Sequence, residues 1–374
     1  MTIPVQAIQD DTQRQTQQEE QEAQAIERIR KAKAALGDSV VILGHHYQRD
    51  EVVQFADFMG DSYKLSKDGA QVDAQYIVFA GVHFMAESAD ILSRPDQVVI
   101  LPNLQAGCSM ADMATLAQVR TAWEDLQIIL GDNPTRHIMP LTYMNSTADL
   151  KAFVGENGGT VCTSSNARAA LDWAFAQREK VFFFPDQHLG RNTGKAMGIP
   201  LEEMVVWNPF EPCGGLSPEA IRQAKIILWQ GYCGVHQQFQ PQHVDYWRKQ
   251  HPDMKIIVHP ECMMEVVDKA DYAGSTAKII QMVSEAPAGT KWAIGTEKHL
   301  VERLKKQHPE QFITLLSPLV CQCMTMFRIS PLDLANVLEE LVEGHVVNQI
   351  SVPEEIQKKA KLALDRMLAI KGRS

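Results

Sequence analysis

The 374-residue chain has no apolar run of about 18 residues, so no segment of it is expected to span a bilayer. Its amino terminus carries no basic stretch followed by an apolar core, which argues against export. Positive charge is in deficit: 36 Lys and Arg stand against 46 Asp and Glu, a formal net charge of −10. That balance and the lack of a basic helix or DNA-binding module argue against a nucleic-acid partner, though a local pocket for small anions remains compatible with it. Cysteine is sparse, with seven residues, and no two of them stand in the Cys-x2-Cys spacing of a closed structural zinc site. An odd number of thiols in such a chain reads as reduced cysteines or metal ligands, not a disulfide framework. A cytoplasmic protein is expected.

What is present is an ordinary globular composition, 45% apolar and 22% charged, in a chain long enough for two or three domains. Residues 1–24 are rich in Gln, Glu and Asp with few large apolar side chains, and read as a flexible tail. Helical spacing begins near Ala25 and stops at Gly37. Short β-branched runs then recur: Val40–Leu43, Tyr76–Phe79, Val98–Leu101, Ile138–Leu141, Val181–Phe184, Ile226–Trp229, Lys255–Val258, Trp292–Ile294 and Phe312–Leu316. Helical segments such as Ala148–Phe153, Ala167–Gln177 and Thr276–Glu285 separate them. The alternation predicts an α/β protein with parallel sheets buried on both faces.

Three stretches repeat one another. The first passes from His45-His46-Tyr47 through Gly60-Asp61-Ser62 to His83; the second from Tyr143-Met144-Asn145 through Thr163-Ser164-Ser165 to His188. The third passes from His259-Pro260-Glu261 through Gly274-Ser275-Thr276 to His299. Ligands of parallel sheets bind beyond the carboxyl ends of the strands, where these polar tips fall. Ser62, Ser164 and Thr276 stand where helices should begin, as caps or as donors to an anion at a helix amino terminus. Three such turns on one axis would suit a substrate with several acidic groups. His83, His188 and His299 are placed either in the cavity wall or in structural hydrogen bonds.

Each unit also ends on a strand and turn followed by a cysteine: Cys108, Cys233, and either Cys321 or Cys323. Cys162, Cys213 and Cys262 are read as small buried hydrophobes. Three soft ligands on an axis point to zinc or an iron–sulfur cluster with one position open for chemistry. On a four-iron cluster the iron without a protein ligand could act as a Lewis acid in elimination of water. The Cys-x3-Cys-x2-Cys run of radical enzymes is absent.

From about Ile26 onward the chain resembles the quinolinate synthase family. The likeness is carried by Gly44-His-His-Tyr-Gln48, Gly60-Asp-Ser62, Leu104-Gln-Ala-Gly-Cys-Ser109, Tyr143-Met-Asn145 and Thr163-Ser-Ser165. It continues in Pro185-Asp-Gln-His-Leu-Gly190, Trp229-Gln-Gly-Tyr-Cys-Gly-Val-His236, His259-Pro-Glu261, Gly274-Ser-Thr276 and Cys323-Met-Thr-Met326. The resemblance implies three pseudo-threefold-related α/β/α domains around a central cavity, here 25–112, 113–215 and 216–326, with helices of 327–374 packing on the first. It implies a [4Fe–4S] cluster on Cys108, Cys233 and Cys323, the last favoured because Cys323 to Met326 matches the family's Cys-x-x-Met. It implies condensation of iminoaspartate with dihydroxyacetone phosphate to quinolinate, losing phosphate and two waters, in NAD biosynthesis and coupled to L-aspartate oxidase.

By the same likeness, His45, Ser62, Tyr143, Asn145, Ser164, His259, Glu261 and Thr276 would bind substrate. Glu261, Tyr47 and Tyr143 would serve as acid–base groups. Two carboxylates and a phosphate call for several donors, and imine–enamine exchange with two dehydrations calls for proton transfer. An aconitase-like hydratase acting on one small substrate and a cluster-bearing sensor are the rival expectations.

Overall fold

The computed structural model describes residues 5–131, 136–319 and 321–370. The β-branched runs of the sequence become strands because helices cover both faces of their sheets. Ile138–Tyr143, for example, is buried at all six positions. Three sheets form, and each has the same core. In the first, Val40–His45 lies between Phe58–Gly60 and Tyr76–Ala80, with Val98–Ile100 beyond, all parallel. In the second, Ile138–Tyr143 lies between Thr160–Cys162 and Lys180–Phe184, with Ile226–Trp229 beyond. In the third, Lys255–Val258 lies between Tyr272–Ala273 and Lys291–Gly295, with Phe312–Leu315 beyond. The repeat read from the polar tips is therefore a repeat of sheet order. Two strands are additions: Met204–Trp207 on the second sheet and the antiparallel Gln349–Ile350 on the first.

Three expectations are corrected. Residues 5–24 are not a tail but the first part of one helix, Val5–Leu36. No Gly or Pro interrupts it, and its Gln, Glu, Ala, Arg and Lys are good helix formers. Ala25, Ile29 and Ala32 bury its body end, Arg28 reaches Glu339, and Glu22 pairs with Arg49 at 3.2 Å. Residues 1–4 lie outside the described residues. Second, the boundary drawn at 215/216 cuts through the second sheet, because Ile226–Trp229 pairs with Lys180–Phe184 and not with the third sheet.

Third, the carboxyl-terminal region packs on the second unit as well as on the first, which Gln357 still reaches at Asp90. Pro331–Val342 lies against Val5–Leu36, but Glu354–Ala369 crosses Ala148–Glu156 of the second unit. That crossing needs Gly155, where a Cβ would stand 2.0 Å from the Lys359 carbonyl oxygen. Arg366 then donates to the carbonyls of Gly155 and Gly159, at 3.1 and 2.6 Å. Gly155→Ala is expected to cost about 1–3 kcal/mol through overpacking, read as a lower urea midpoint. An unchanged midpoint would contradict so close a crossing.

Candidate active site

The carboxyl ends of the three sheets meet at one cavity. Each unit supplies its polar tip and its hydroxyl turn. His45, Tyr47 and Ser62 come from the first, Tyr143, Asn145 and Ser164 from the second, and His259, Glu261 and Thr276 from the third. Cys108, Cys233 and Cys323 share the same wall. The structure thus brings together all twelve residues singled out in the sequence.

The hydroxyls are not spent on capping. Ser62 opens the helix Ser62–Gly69, but the cap is Asp61, whose carboxylate accepts the Lys64 N–H. Thr276 opens Thr276–Ser284, but Ser275 accepts the Lys278 N–H. In the second unit Asn166 holds the cap position of Ala167–Phe175 and its side chain accepts the Thr163 N–H, so Ser164 lies outside the helix start. Among the described residues that line the cavity there is no lysine or arginine. An anion here would meet hydroxyls, Asn145, imidazole N–H groups and helix amino termini.

The two strand-end histidines are oriented by one device. The Tyr47 N–H donates to His45 Nδ1 at 3.1 Å, and the Glu261 N–H donates to His259 Nδ1 at 3.3 Å. Each ring then carries its proton on Nε2. A chain of hydroxyls links the first and third units. Thr276 Oγ1 donates to the Tyr47 hydroxyl at 3.0 Å, which lies 2.8 Å from Thr296 Oγ1, itself 3.2 Å from His236 Nε2. His236 Nδ1 lies 2.6 Å from Glu261 Oε2, and its ring stacks on His259. Donation can therefore run in one direction, from Thr276 through Tyr47 and Thr296 to His236, whose Nδ1 stands against the Glu261 carboxylate.

Burial governs the charges. It holds His45 and His259 down to about 3 and His46 to about 4, so these rings are neutral near pH 7. Burial pushes the Glu261 carboxyl up, but His259, His236 and the Tyr143 hydroxyl more than offset it and hold the group at about 2. Both Tyr47 and Tyr143 are raised well above the usual phenol range, first by burial and then by Glu261. The depressed histidines favour their neutral forms in the fold, so below their ordinary value of 6.5 the unfolded chain binds more protons. Stability is complete above that value and lost as pH falls toward 3, and Glu261 acts in the same sense between 4.5 and about 2. Urea midpoints should fall on acidification from about pH 6.5. A midpoint that rises would contradict this.

The thiols share one environment. Burial raises Cys108 to about 12 and Cys233 well above the ordinary thiol value, and raises Cys323 as well. Among the described residues that line the cavity, none is a lysine or arginine that would stabilise a free thiolate, as a reactive cysteine would need. The turns after the cysteines also repeat. The residue four positions on donates its N–H to each cysteine carbonyl: Asp112 to Cys108 at 3.2 Å, Gln237 to Cys233 at 2.9 Å, Phe327 to Cys323 at 3.0 Å. Cys323, not Cys321, occupies the repeated slot. Cys321 is buried away from the cavity, its Sγ 3.6 Å from the Leu319 carbonyl oxygen.

The three outer histidines stand off the central cavity. His83 faces Glu87 at 3.7 Å, His188 bonds Gln237 at 3.0 Å and His299 bonds Glu297 at 2.9 Å; none lines the central cavity. Sequence reasoning assigned no role to His236 or Thr296, which complete the hydroxyl chain. The signal for His236 was its position three after Cys233, where Ala111 and Met326 follow the other two cysteines.

The model of the quinolinate synthetase A protein (NadA) matches residues 27–369. The quinolinate synthase of Herpetosiphon aurantiacus is 58% identical over 347 residues, covering 92% of each chain. That of Acidobacterium capsulatum is 60% identical over 349 residues, covering 92% of this chain and 93% of the relative. The chain belongs to the quinolinate synthase family. In this quinolinate synthase family member a clasp also joins the first and third units. Arg303 donates to Asp50 Oδ1 at 2.8 Å and to the carbonyls of His46 and Gln48 at 2.8 and 2.6 Å. It thereby fixes the loop that carries His45 and Tyr47. No helix among the described residues is long and apolar enough to cross a membrane.

Proposed function

We propose that the chain condenses iminoaspartate with dihydroxyacetone phosphate to quinolinate, with loss of phosphate and two waters, in the cytoplasm as a step of NAD biosynthesis. A reaction that oxidises L-aspartate would supply the imine, in keeping with coupling to L-aspartate oxidase. The observation that carries this reading is the meeting of three thiols with three polar tips in one cavity of an enzyme family member. The thiols fit a [4Fe–4S] group: they are soft donors that need a bound metal to ionise, and they stand in one repeated slot. Cys108, Cys233 and Cys323 would hold it. When bound, it would supply Lewis acidity at an iron without a protein ligand.

The remaining chemistry belongs to side chains. Ser62, Ser164, Thr276, Asn145 and the Nε2–H groups of His45 and His259 would bind the carboxylates and phosphate as neutral donors. Tyr47 would pass a proton through Thr296 to His236, with Glu261 orienting the imidazole and stabilising its charged form. Tyr143, beside Glu261, would be the second proton donor. Burial keeps both phenols protonated until they act.

Cys233, His236 and Glu261 also lie close enough to hold a single divalent ion, their ligand atoms within 4.8 Å of one another. Reconstitution without oxygen, followed by assay with both substrates, separates these readings. Quinolinate formed only when both substrates are present supports the proposal. Dehydration of a lone hydroxy acid, with no need for the triose phosphate, would replace it with a hydratase.

A further inference from the structure

The turn after the strand Lys291–Gly295 holds a fully buried acid, Glu297. It caps the helix Lys298–Gln307: Oε2 accepts the His299 N–H at 2.7 Å, and Oε1 lies 2.9 Å from His299 Nδ1. Oε1 also accepts the backbone N–H of Cys323 at 3.2 Å. Lys298 N–H donates to the Cys321 carbonyl at 2.9 Å, and the His299 ring stacks on Phe327 at 5.4 Å. One short turn thus grips the cysteine arm at Cys321, Cys323 and Phe327. Burying a carboxyl group without a lysine or arginine partner is costly, and a cap alone could be made by serine or threonine at far less expense. Its reach to Cys323 gives the acid a second task.

The neighbouring residue makes the turn a joint. Thr296 Oγ1 contacts the Tyr47 hydroxyl at 2.8 Å and His236 Nε2 at 3.2 Å. The same turn therefore places both the cysteine arm and the hydroxyl chain. The second unit repeats the device: Asp186, also fully buried, caps Gln187–Ala196 through the Leu189 N–H at 2.6 Å and lies beside the Cys233 N–H. In the first unit Val82 takes the cap position and no acid is present.

We propose that Glu297 is the positioning residue of the Cys323 arm and that, through Thr296, it ties the placement of that thiol to the placement of Tyr47. This rests on the reading of Cys323 as a cluster ligand, so the test has one readout with the cluster and one without. In anaerobically reconstituted protein, iron release to a chelator is followed for the parent, Glu297→Gln, Glu297→Asp and Glu297→Leu. Gln keeps one oxygen that can accept the Cys323 N–H, giving up the bond to the His299 N–H, and is expected to hold iron more nearly as the parent does than Asp or Leu. Asp is a methylene too short, and Leu has no acceptor; both are expected to lose iron roughly 10–100-fold faster.

In the cluster-free proteins, alkylation mapped by mass should be faster at Cys323 in the Asp and Leu variants and unchanged at Cys162. If the Leu variant does not fold, the Gln and Asp pair decides alone. Iron release and Cys323 alkylation at parental rates in the Asp variant would overturn the proposal, as would a Gln variant that behaves like Asp. A parent that binds no iron–sulfur group but still shows the alkylation difference would overturn the cluster reading and leave the positioning role standing.

Discussion

Glu261→Gln is expected to retain its iron and sulfide and to lose about 10²–10⁴-fold in the rate of quinolinate formation. The glutamine keeps the volume of the side chain and can still accept from His236 Nδ1, which lies 2.6 Å from the carboxylate. What it loses is the negative charge that the proposed proton path sets beside His236. The proton leaving Tyr47 through Thr296 then has no stable destination, because the nearby histidines are held neutral by burial. The loss should fall on kcat more than on KM, since the hydroxyls proposed to bind the anions are untouched. Full turnover in this variant would remove Glu261 from the proton path.

The second large effect separates two cysteines only two residues apart. Cys323→Ser is expected to abolish quinolinate formation and stable iron binding, while Cys321→Ser stays within about tenfold of the parent, as for a side chain that supports the site without joining it. The reasons are positional. Cys323 lines the cavity and its carbonyl accepts the same N–H bond as Cys108 and Cys233, whereas Cys321 is turned into the core with Cys262 and Leu316. Iron and sulfide counts with paired activity assays check the contrast. The reverse pattern would move the third ligand to Cys321.

Much of the frame was legible because its physics is local. Strands buried on both faces must be apolar throughout, so Ile138–Tyr143 and Lys255–Val258 stand out in the chain. Their polar ends mark the side where ligands gather. Repetition then made single weak signals count: one serine at a helix start says little, while Ser62, Ser164 and Thr276 in matching places say more. The hidden part depended on tertiary geometry. Thr296 follows a strand end that looked complete at Gly295, and only the packing of the third unit against the first brings it to Tyr47. The order of the second sheet was missed at Ile226–Trp229 because a strand's partner is not written in its own residues. The amino-terminal part of the first helix, before Ala25, was missed for a different reason. Its polar half has no apolar period to read, and what anchors it lies far away in sequence, at Arg49 and Glu339.

The central claim is that three cysteines hold a four-iron cluster with one iron left for substrate. Mössbauer spectra of anaerobically reconstituted, iron-57-enriched protein, taken with and without a dicarboxylate substrate analogue, test it most directly. The account predicts four irons and four sulfides per chain, with one iron signal out of four shifted by the analogue. A protein that binds zinc alone, or a cluster whose four iron signals ignore the analogue, would contradict it.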